Sequence, residues 1–127
     1  GLGDVYKRQV PSYSKYKVME RRHFINFDIA GFTYWDGTLA FQELIIGTKL
    51  QLRREEDNKF APYAVAIYYK DYKLGFIPRD KNKEISKLCE QGYTGIFEAR
   101  INRISQDEHP ENQIGVIIYI KKCNDNK

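Results

Sequence analysis

The chain has little of what marks a secreted, membrane-bound or metal-dependent protein. Of its two cysteines, Cys89 falls on the apolar face of a predicted helix and Cys123 in a polar tail. Two such different settings argue against a disulfide and fit a reducing cytoplasm, where we expect the protein to act. No apolar run is long enough to predict a membrane-spanning helix, and no signal peptide is visible, so we expect no membrane partner.

Catalytic signatures are missing as well. No serine or cysteine occurs in a recognisable nucleophile motif with a placed histidine. The segment Asp107-Glu108-His109-Pro110-Glu111 groups carboxylates with a histidine, a combination that binds divalent ions, but it has no partner ligands at helical or strand spacing. We therefore predict a non-enzymatic protein with no cofactor and no metal. A metal-dependent nuclease that uses the His109 loop is the enzyme alternative.

What the chain does have is the composition of a small β domain with a basic surface. Hydrophobic residues make up 42% and aromatic residues 14% of the sequence, which is enough for one core and favours strands. The net charge of +4 indicates a mild preference for polyanions, and an ordinary lysine-rich surface would give the same value.

The first nine residues are excluded from fold reasoning. Asp4 to Gln9 reads DVYKRQ, which looks like a translated sequencing adaptor rather than natural protein. Without residues 1–9 the chain keeps 19 basic and 16 acidic residues, and its net charge is +3. We expect residues 10–22 to be a flexible lead-in, residues 23–122 to form a β-barrel domain, and residues 123–127 to be a polar tail.

Hydrophobic periodicity predicts six short strands and two helices. Thr38 is the predicted N-cap of a short helix, and Asp80 that of a longer helix followed by Gly92 at its C′ position. So few helices exclude a doubly wound sheet, and we predict a mainly β fold, a small six-stranded OB/SH3-like barrel. The predicted strands are Phe24 to Phe32, Thr48 to Arg54, Tyr63 to Tyr69, Lys73 to Ile77, Ile96 to Ile104 and Gln113 to Ile120, and the helices are Thr38 to Ile45 and Arg79 to Gln91.

Three segments, in their order and spacing, resemble the HIRAN domain, a small DNA-binding module. They are the turn Ala30-Gly31-Phe32-Thr33-Tyr34-Trp35-Asp36-Gly37, the loop and strand from Arg54 to Ile67, and the junction Gly75-Phe76-Ile77-Pro78-Arg79. Members of the family are found fused to DNA-remodelling helicases and as small stand-alone bacterial proteins, and this chain looks like the stand-alone kind. The resemblance extends over Ile25 to Ile120 and implies a modified OB-type barrel.

The function implied by the resemblance is recognition of single-stranded DNA, preferably at a free 3′ end, in DNA repair or replication-fork processing. A helicase or another DNA-processing enzyme acting in trans is the further partner that it suggests. Tyr34 matches the stacking tyrosine of the family, and Trp35 beside it offers a second platform. Aromatic rings that stack on the exposed bases of a single strand contribute about 1–3 kcal/mol per base.

The resemblance assigns the polar contacts to other positions. Asp57 and Asn58 match a pair that hydrogen-bonds the terminal nucleotide, and Phe60 stands where the family often has tyrosine. Arg79 matches a basic residue that holds backbone phosphate at the start of a helix. Arg54 and Lys81 would extend this phosphate track.

One departure from the family pattern bears on the 3′ end. The family loop commonly runs Asn-Pro-Tyr-Asp, whereas this chain has Asn58-Lys59-Phe60-Ala61. Ala61 replaces an aspartate that contacts the terminal sugar hydroxyl, so this acceptor is missing from its usual place. Asp57 is the candidate substitute, and general single-strand binding is a firmer expectation than strict 3′-end selectivity.

Plainer interpretations of the same residues stay open. Tyr34 and Trp35 would also suit the cap of a barrel end, and Arg54 beside two glutamates is normally a solvated turn. An SH3-like protein-interaction adaptor, binding a peptide in the aromatic groove, is therefore the alternative function. The sequence does not separate DNA from RNA, since aromatic platforms accept both.

Overall fold

The computed structural model describes residues 21–109 and 112–122 of the chain. The predicted segments 1–9 and 123–127, and residues 10–20 of the predicted lead-in, lie outside these ranges. Short 3-10 helices run over Phe32–Tyr34, Phe41–Glu43 and Thr94–Ile96. The strands are β1 (Arg21–Asp28), β2 (Lys49–Arg54), β3 (Val65–Tyr69), β4 (Tyr72–Phe76), β5 (Phe97–Ile104) and β6 (Ile114–Lys121), and the helices are α1 (Gly37–Ala40) and α2 (Lys83–Glu90).

These six strands form one antiparallel sheet in the order β1-β6-β5-β2-β3-β4. The order leaves β1 and β4 at the two edges, but the chain that follows β1 returns to β4. There Ala30 and Phe76 exchange two backbone hydrogen bonds of 2.9 Å each. The predicted class, mainly β with six strands, one clear helix and one short helix, is confirmed, and a single bridge joins the edges of the sheet.

The bridge depends on a glycine in β4. Gly75 has a φ of +147°, and a Cβ atom built there would lie 2.4 Å from the carbonyl oxygen of Ala30. Any other residue would push the two edges apart or clash with backbone. The sequence places this glycine between Leu74 and Phe76, where the edge strands approach each other most closely.

The core lies on the inner face of the curved sheet. In β2 the apolar residues alternate with polar ones, so Leu50 and Leu52 are buried while Lys49 and Gln51 are exposed. β3 is apolar on both faces, as predicted for a central strand, and its first three residues are fully buried. The core is completed by Phe27, Ile29, Phe32, Leu74, Ile77, Ile85, Phe97, Ile101, Ile114, Val116 and Ile118.

Both predicted N-caps are wrong. α1 begins at Gly37 with Asp36 at the cap position, because the amides of Leu39 and Ala40 bond to the carbonyl oxygen of Asp36. The carboxylate of Asp36 caps nothing and instead accepts a 3.2 Å hydrogen bond from the backbone amide of Lys73 on β4. Tertiary pairing with β4 therefore decides where this helix starts, ahead of the local preference of Thr38.

The N-cap of the longer helix lies two residues after the predicted Asp80, also because of a contact outside the helix. The residues after Pro78 form a turn in which the amide of Lys81 bonds to the carbonyl oxygen of Pro78, at 2.9 Å. Asp80 is part of this turn and not of the helix, so α2 begins at Lys83 with Asn82 at the cap position. At its other end Gly92, with a φ of +91°, bonds back to Cys89 as predicted for the C′ glycine.

The first strand also differs from its predicted bounds. Arg21 and Arg22, expected in the lead-in, pair with Lys121 and Ile120 of β6 and belong to β1. At its other end β1 stops at Asp28, four residues before the predicted end. Gly31, with a φ of +74°, turns the chain into the 3-10 helix that carries the aromatic turn.

Candidate nucleic-acid interface

A cleft of about 360 Å³ lies beside the bridge between the edge strands. Four separate stretches of the chain meet there: the turn after β1, the loop between β2 and β3, the end of β4, and the approach to α2. The resemblance had singled out parts of all four, and only the folded chain brings them together. The cleft is lined by Ala30, Gly31, Trp35, Glu55, Asn58, Phe60, Ala61, Ala64, Phe76, Ile77, Arg79 and Asn82.

Trp35 forms one wall of the cleft. Its ring meets Phe76 edge to face, with the ring centroids 5.7 Å apart and the planes at 68°. The Nζ atom of Lys73 lies 3.7 Å from the centroid of the Trp35 ring. The indole is therefore held in one orientation by a cation and an aromatic edge, yet it stays 44% exposed. A fixed and partly open ring is what base stacking requires.

Phe60 also lines the cleft, and Tyr34 stands next to Trp35 in the chain. Phe60 is 89% exposed and Tyr34 79% exposed, far more than large aromatic side chains usually are. Tyr34 does not line the cleft itself but follows Phe32 in the 3-10 helix that leads to it. A run of open aromatic rings thus lies on and beside the cleft.

Asn58 shapes the loop that carries Phe60. Its Oδ1 atom accepts hydrogen bonds from the backbone amides of Phe60 and Ala61, both at 3.0 Å. Its Nδ2 group donates to Oε1 of Glu55 at 3.2 Å. These contacts make an Asx-type turn that presents the Phe60 ring to solvent. The Asn58 side chain, predicted to touch a nucleotide, is thus the one that positions Phe60.

Arg79 supplies positive charge at the mouth of the cleft. Among the described residues lining the cleft, it has the one basic side chain. Its Nη2 group donates a 3.4 Å hydrogen bond to the carbonyl oxygen of Phe60, which links the approach to α2 with the aromatic loop. The guanidinium is exposed and has donors left for a phosphate oxygen.

Sequence reasoning missed two charged residues and one amide at this site. Glu55 lines the cleft, and its Oε2 atom lies 2.6 Å from Nζ of Lys73, which offsets the carboxylate charge. Asn82, only 5% exposed, closes the floor. Lys73 had no signal of its own in the sequence, because its contacts with Trp35 and Glu55 form only when β4 lies beside the aromatic turn and the β2–β3 loop. Glu55 did have one, since it stands inside the loop that carries the family resemblance.

Three of the predicted binding residues do not line the cleft. Arg54 has the same parity as the buried leucines of β2, so it points inward and bonds to Ser86 on α2 at 3.2 Å. Asp57 is exposed at the tip of the loop, and Lys81 is exposed beside Asp80 with 3.9 Å between their charged atoms. Of the predicted residues, the structure gathers Trp35, Asn58, Phe60 and Arg79 at the cleft, with Tyr34 adjacent.

The described ranges contain neither a group of metal-ligating side chains nor a membrane-spanning helix. Over residues 21–109 and 112–122, no three His, Cys, Asp or Glu side chains come together as a group able to hold a metal ion. Residues 110 and 111 of the loop proposed for the nuclease alternative fall outside those ranges. No helix found in the same ranges is long and apolar enough to cross a membrane.

The fold and the cleft define a small mainly β binding domain of the OB-like type. The family model of the HIRAN domain matches residues 23–122, and the chain belongs to the HIRAN domain family. HIRAN is a binding domain rather than a catalytic one, and it is known in nucleic-acid-binding and DNA-repair proteins. No curated protein matches the chain.

Two solved structures share the fold. A protein from Lactobacillus plantarum is 20% identical, with a TM-score of 0.66, over 81% of this chain and 97% of that one. The HIRAN domain of human HLTF is 11% identical, with a TM-score of 0.53, over 81% of this chain and 82% of that one. At these identities the likeness shows the architecture alone.

Proposed function

We propose that this protein binds single-stranded DNA in the cleft, by base stacking and phosphate contact, and performs no catalysis on it. The observation that carries the proposal is the meeting of Trp35, Phe60 and Arg79, from three distant parts of the sequence, around one cleft. Open rings suit unpaired bases, and a guanidinium beside them suits the phosphate that follows each base.

The charge distribution inside the cleft supports this choice. Glu55 would repel phosphate, but Lys73 pairs with it at 2.6 Å and leaves Arg79 as the uncompensated charge. The walls around these groups are apolar, from Ala30, Ala64 and Ile77. A short single strand can therefore place bases against apolar and aromatic walls while its backbone passes Arg79. Duplex DNA, whose bases are stacked inside, offers no ring to this cleft.

Selectivity for the 3′ end is the finer part of the proposal. Ala61 lines the cleft where the family has its aspartate, and it brings no acceptor of its own. Asp57, the substitute proposed from the sequence, is exposed at the loop tip rather than in the cleft. We therefore expect binding of single strands with weak discrimination between a 3′-OH and a 3′-phosphate. Strand processing in DNA repair, alongside a helicase or similar enzyme in trans, is the setting in which we place this activity.

Fluorescence anisotropy with four labelled ligands tests the proposal. The ligands are a single strand ending in 3′-OH, the same strand ending in 3′-phosphate, a blunt duplex, and a single-stranded RNA. We expect both DNA single strands to bind, and we expect Trp35→Ala with Arg79→Ala to weaken both by well over tenfold, since one stacked base alone contributes about 1–3 kcal/mol. Unchanged affinity in that folded double variant would exclude the cleft.

The salt dependence separates DNA from a peptide ligand. Binding through phosphates weakens log-linearly as salt rises, with a slope of about −0.7 per phosphate contacted by a single strand. A peptide in the same apolar groove would respond far less. If none of the four nucleic acids bound, the result would favour the alternative in which the cleft binds a peptide of a partner protein. If DNA were degraded on incubation with Mg²⁺ or Mn²⁺, the result would favour the nuclease alternative.

A further inference from the structure

The outer face of the sheet carries a row of basic side chains that the cleft does not use. The strand register fixes which residues share this face, because directly paired residues of antiparallel strands point to the same side. Lys49 of β2 pairs with Arg100 of β5, and Arg21 of β1 pairs with Lys121 of β6. Arg53 lies four residues after Lys49 in β2 and therefore points to the same side of the sheet. We call Arg21, Lys49, Arg53, Arg100 and Lys121 the basic sheet face.

Acidic residues are scarce on this face. Glu98, paired across from Tyr119, contacts both Arg21 and Arg100. One carboxylate thus accounts for two guanidinium groups. Among the described residues, no carboxylate lies within 4.0 Å of Lys49 or Arg53. The face keeps a net positive charge, which suits a polyanion.

The aromatic rings of this face are covered. The guanidinium carbon of Arg53 lies 4.0 Å from the centroid of the Tyr68 ring, and that of Arg21 lies 3.9 Å from the centroid of the Tyr119 ring. Trp35 of the cleft also carries a cation on its ring, but it stays exposed, whereas Tyr68 and Tyr119 are only partly exposed under their guanidinium groups. This face therefore offers mainly cationic groups, which suit phosphates better than bases.

The basic sheet face is continuous with the cleft. Tyr68, under Arg53, pairs across the sheet with Lys73, which contacts both Trp35 and Glu55. The basic side chains occupy four neighbouring strands, β1, β6, β5 and β2, over three strand spacings of about 14 Å, which corresponds to about four base pairs of duplex. A duplex hides its bases and exposes phosphates, as this face requires.

From this arrangement we propose that the basic sheet face binds the backbone of duplex DNA adjoining a single-stranded end held in the cleft. The proposal rests on the proposed function and adds its substrate class, a duplex with a single-stranded overhang. Lys49 and Arg53 make the phosphate contacts in the part of the face nearest the cleft. Arg21 and Arg100, held in place by Glu98, extend the track outward.

The test compares a single strand of about ten nucleotides with the same strand joined to a duplex of about twelve base pairs, and with the blunt duplex alone. The two phosphate contacts of Lys49 and Arg53 alone make the affinity advantage of the overhang substrate fall roughly tenfold between about 50 and 200 mM salt, and contacts by Arg21 and Arg100 add to this fall. Lys49→Gln and Arg53→Gln should each lower this salt effect by a factor of roughly 3.5 and leave single-strand affinity unchanged. Lys87→Gln, which removes one charge from the exposed side of α2, is the matched control and should change neither.

The outcomes separate the two proposals. An overhang substrate that binds no more tightly than the single strand would overturn the duplex-binding face and leave the cleft intact. The duplex-binding face would also be overturned if neither Lys49→Gln nor Arg53→Gln changed the affinity advantage of the overhang substrate. The same holds if these variants weakened binding of the single strand as much as binding of the overhang substrate. Failure of the single strand to bind, with Arg53-dependent binding of both duplex substrates, would refute the proposed function and uphold the face. Thermal unfolding of each variant confirms that the exposed substitutions leave the fold in place.

Discussion

The Nζ atom of Lys73 lies 3.7 Å from the centroid of the Trp35 ring and holds the indole ring by a cation–π contact. The same ammonium group lies 2.6 Å from Oε2 of Glu55 and cancels the carboxylate that faces the cleft. One lysine thus joins the aromatic turn, the β2–β3 loop and strand β4. Because Trp35 is the only tryptophan of the chain, Trp35 fluorescence reports on the site directly.

Lys73→Met should weaken single-strand binding by roughly fivefold or more. The substitution removes a cation–π contact of about 0.5–2 kcal/mol and leaves Glu55 to repel phosphate. Anisotropy gives the affinity, and Trp35 emission should change in the free protein. Lys70→Met is a close control, since Lys70 also contacts an aromatic ring, Tyr69, and a carboxylate, but outside the cleft. Equal losses in the two variants would contradict a specific role for Lys73.

Asn58→Ala should reduce affinity more than Asp57→Ala. Asn58 holds the amides of Phe60 and Ala61 through its Oδ1 atom, so its loss frees the loop that presents the Phe60 ring. Asp57 is exposed at the loop tip and does not line the cleft. The measurement is the affinity of each variant for one short oligonucleotide. A larger loss for Asp57→Ala would show that the terminal nucleotide reaches the loop tip.

Ala61→Asp should create selectivity for the 3′-OH. An added carboxylate in the cleft accepts a hydrogen bond from a hydroxyl and repels a phosphate, which amounts to about 1–3 kcal/mol, or about tenfold or more. The readout is the ratio of affinities for strands ending in 3′-OH and 3′-phosphate. Ala64→Asp is unsuitable as a control because Ala64 is buried, so the exposed Asp57→Asn serves instead. An unchanged ratio in Ala61→Asp would place the strand end elsewhere.

Gly75→Ala should destabilise the fold by about 1–3 kcal/mol. The new Cβ atom would lie 2.4 Å from the carbonyl oxygen of Ala30, at a φ of +147° that alanine rarely adopts. The bridge between the sheet edges, and with it the wall of the cleft, should open. Urea unfolding measures the loss. Gly95→Ala, where a Cβ atom meets nothing within 4 Å, is the control and should unfold close to the unmodified protein.

Glu98 should make stability depend on pH. The hydrogen bond from Arg100, with the added attraction of Arg21, lowers the pKa of Glu98 below its usual 4.5, against the opposing effect of burial. A lowered folded-state pKa contributes stability above the unfolded pKa, and that contribution is lost as pH falls through the folded value. The difference in unfolding free energy between the protein and Glu98→Gln should therefore shrink from about pH 7 to about pH 3. A pH-independent difference would show that the charge of Glu98 plays no part.

The sequence determined the class of fold and the residue types of the site. Alternating apolar positions in β2 and a doubly apolar β3 are local patterns, so the strands could be placed to within a few residues. The segments around Trp35, Phe60 and Arg79 were recognisable because their order and spacing are carried by the chain itself. Which side chains reach the cleft, in contrast, could not be predicted from local sequence patterns.

The tertiary structure alone decided that choice. Arg54 looked like a phosphate ligand in the sequence, but its parity in β2 turns it inward to Ser86. Lys73 looked like an ordinary strand residue, but the bridge at Gly75 brings β4 to the aromatic turn and sets Lys73 against Trp35. Such roles depend on strand register and on contacts between residues far apart in the chain, and neither is encoded in any single window of sequence.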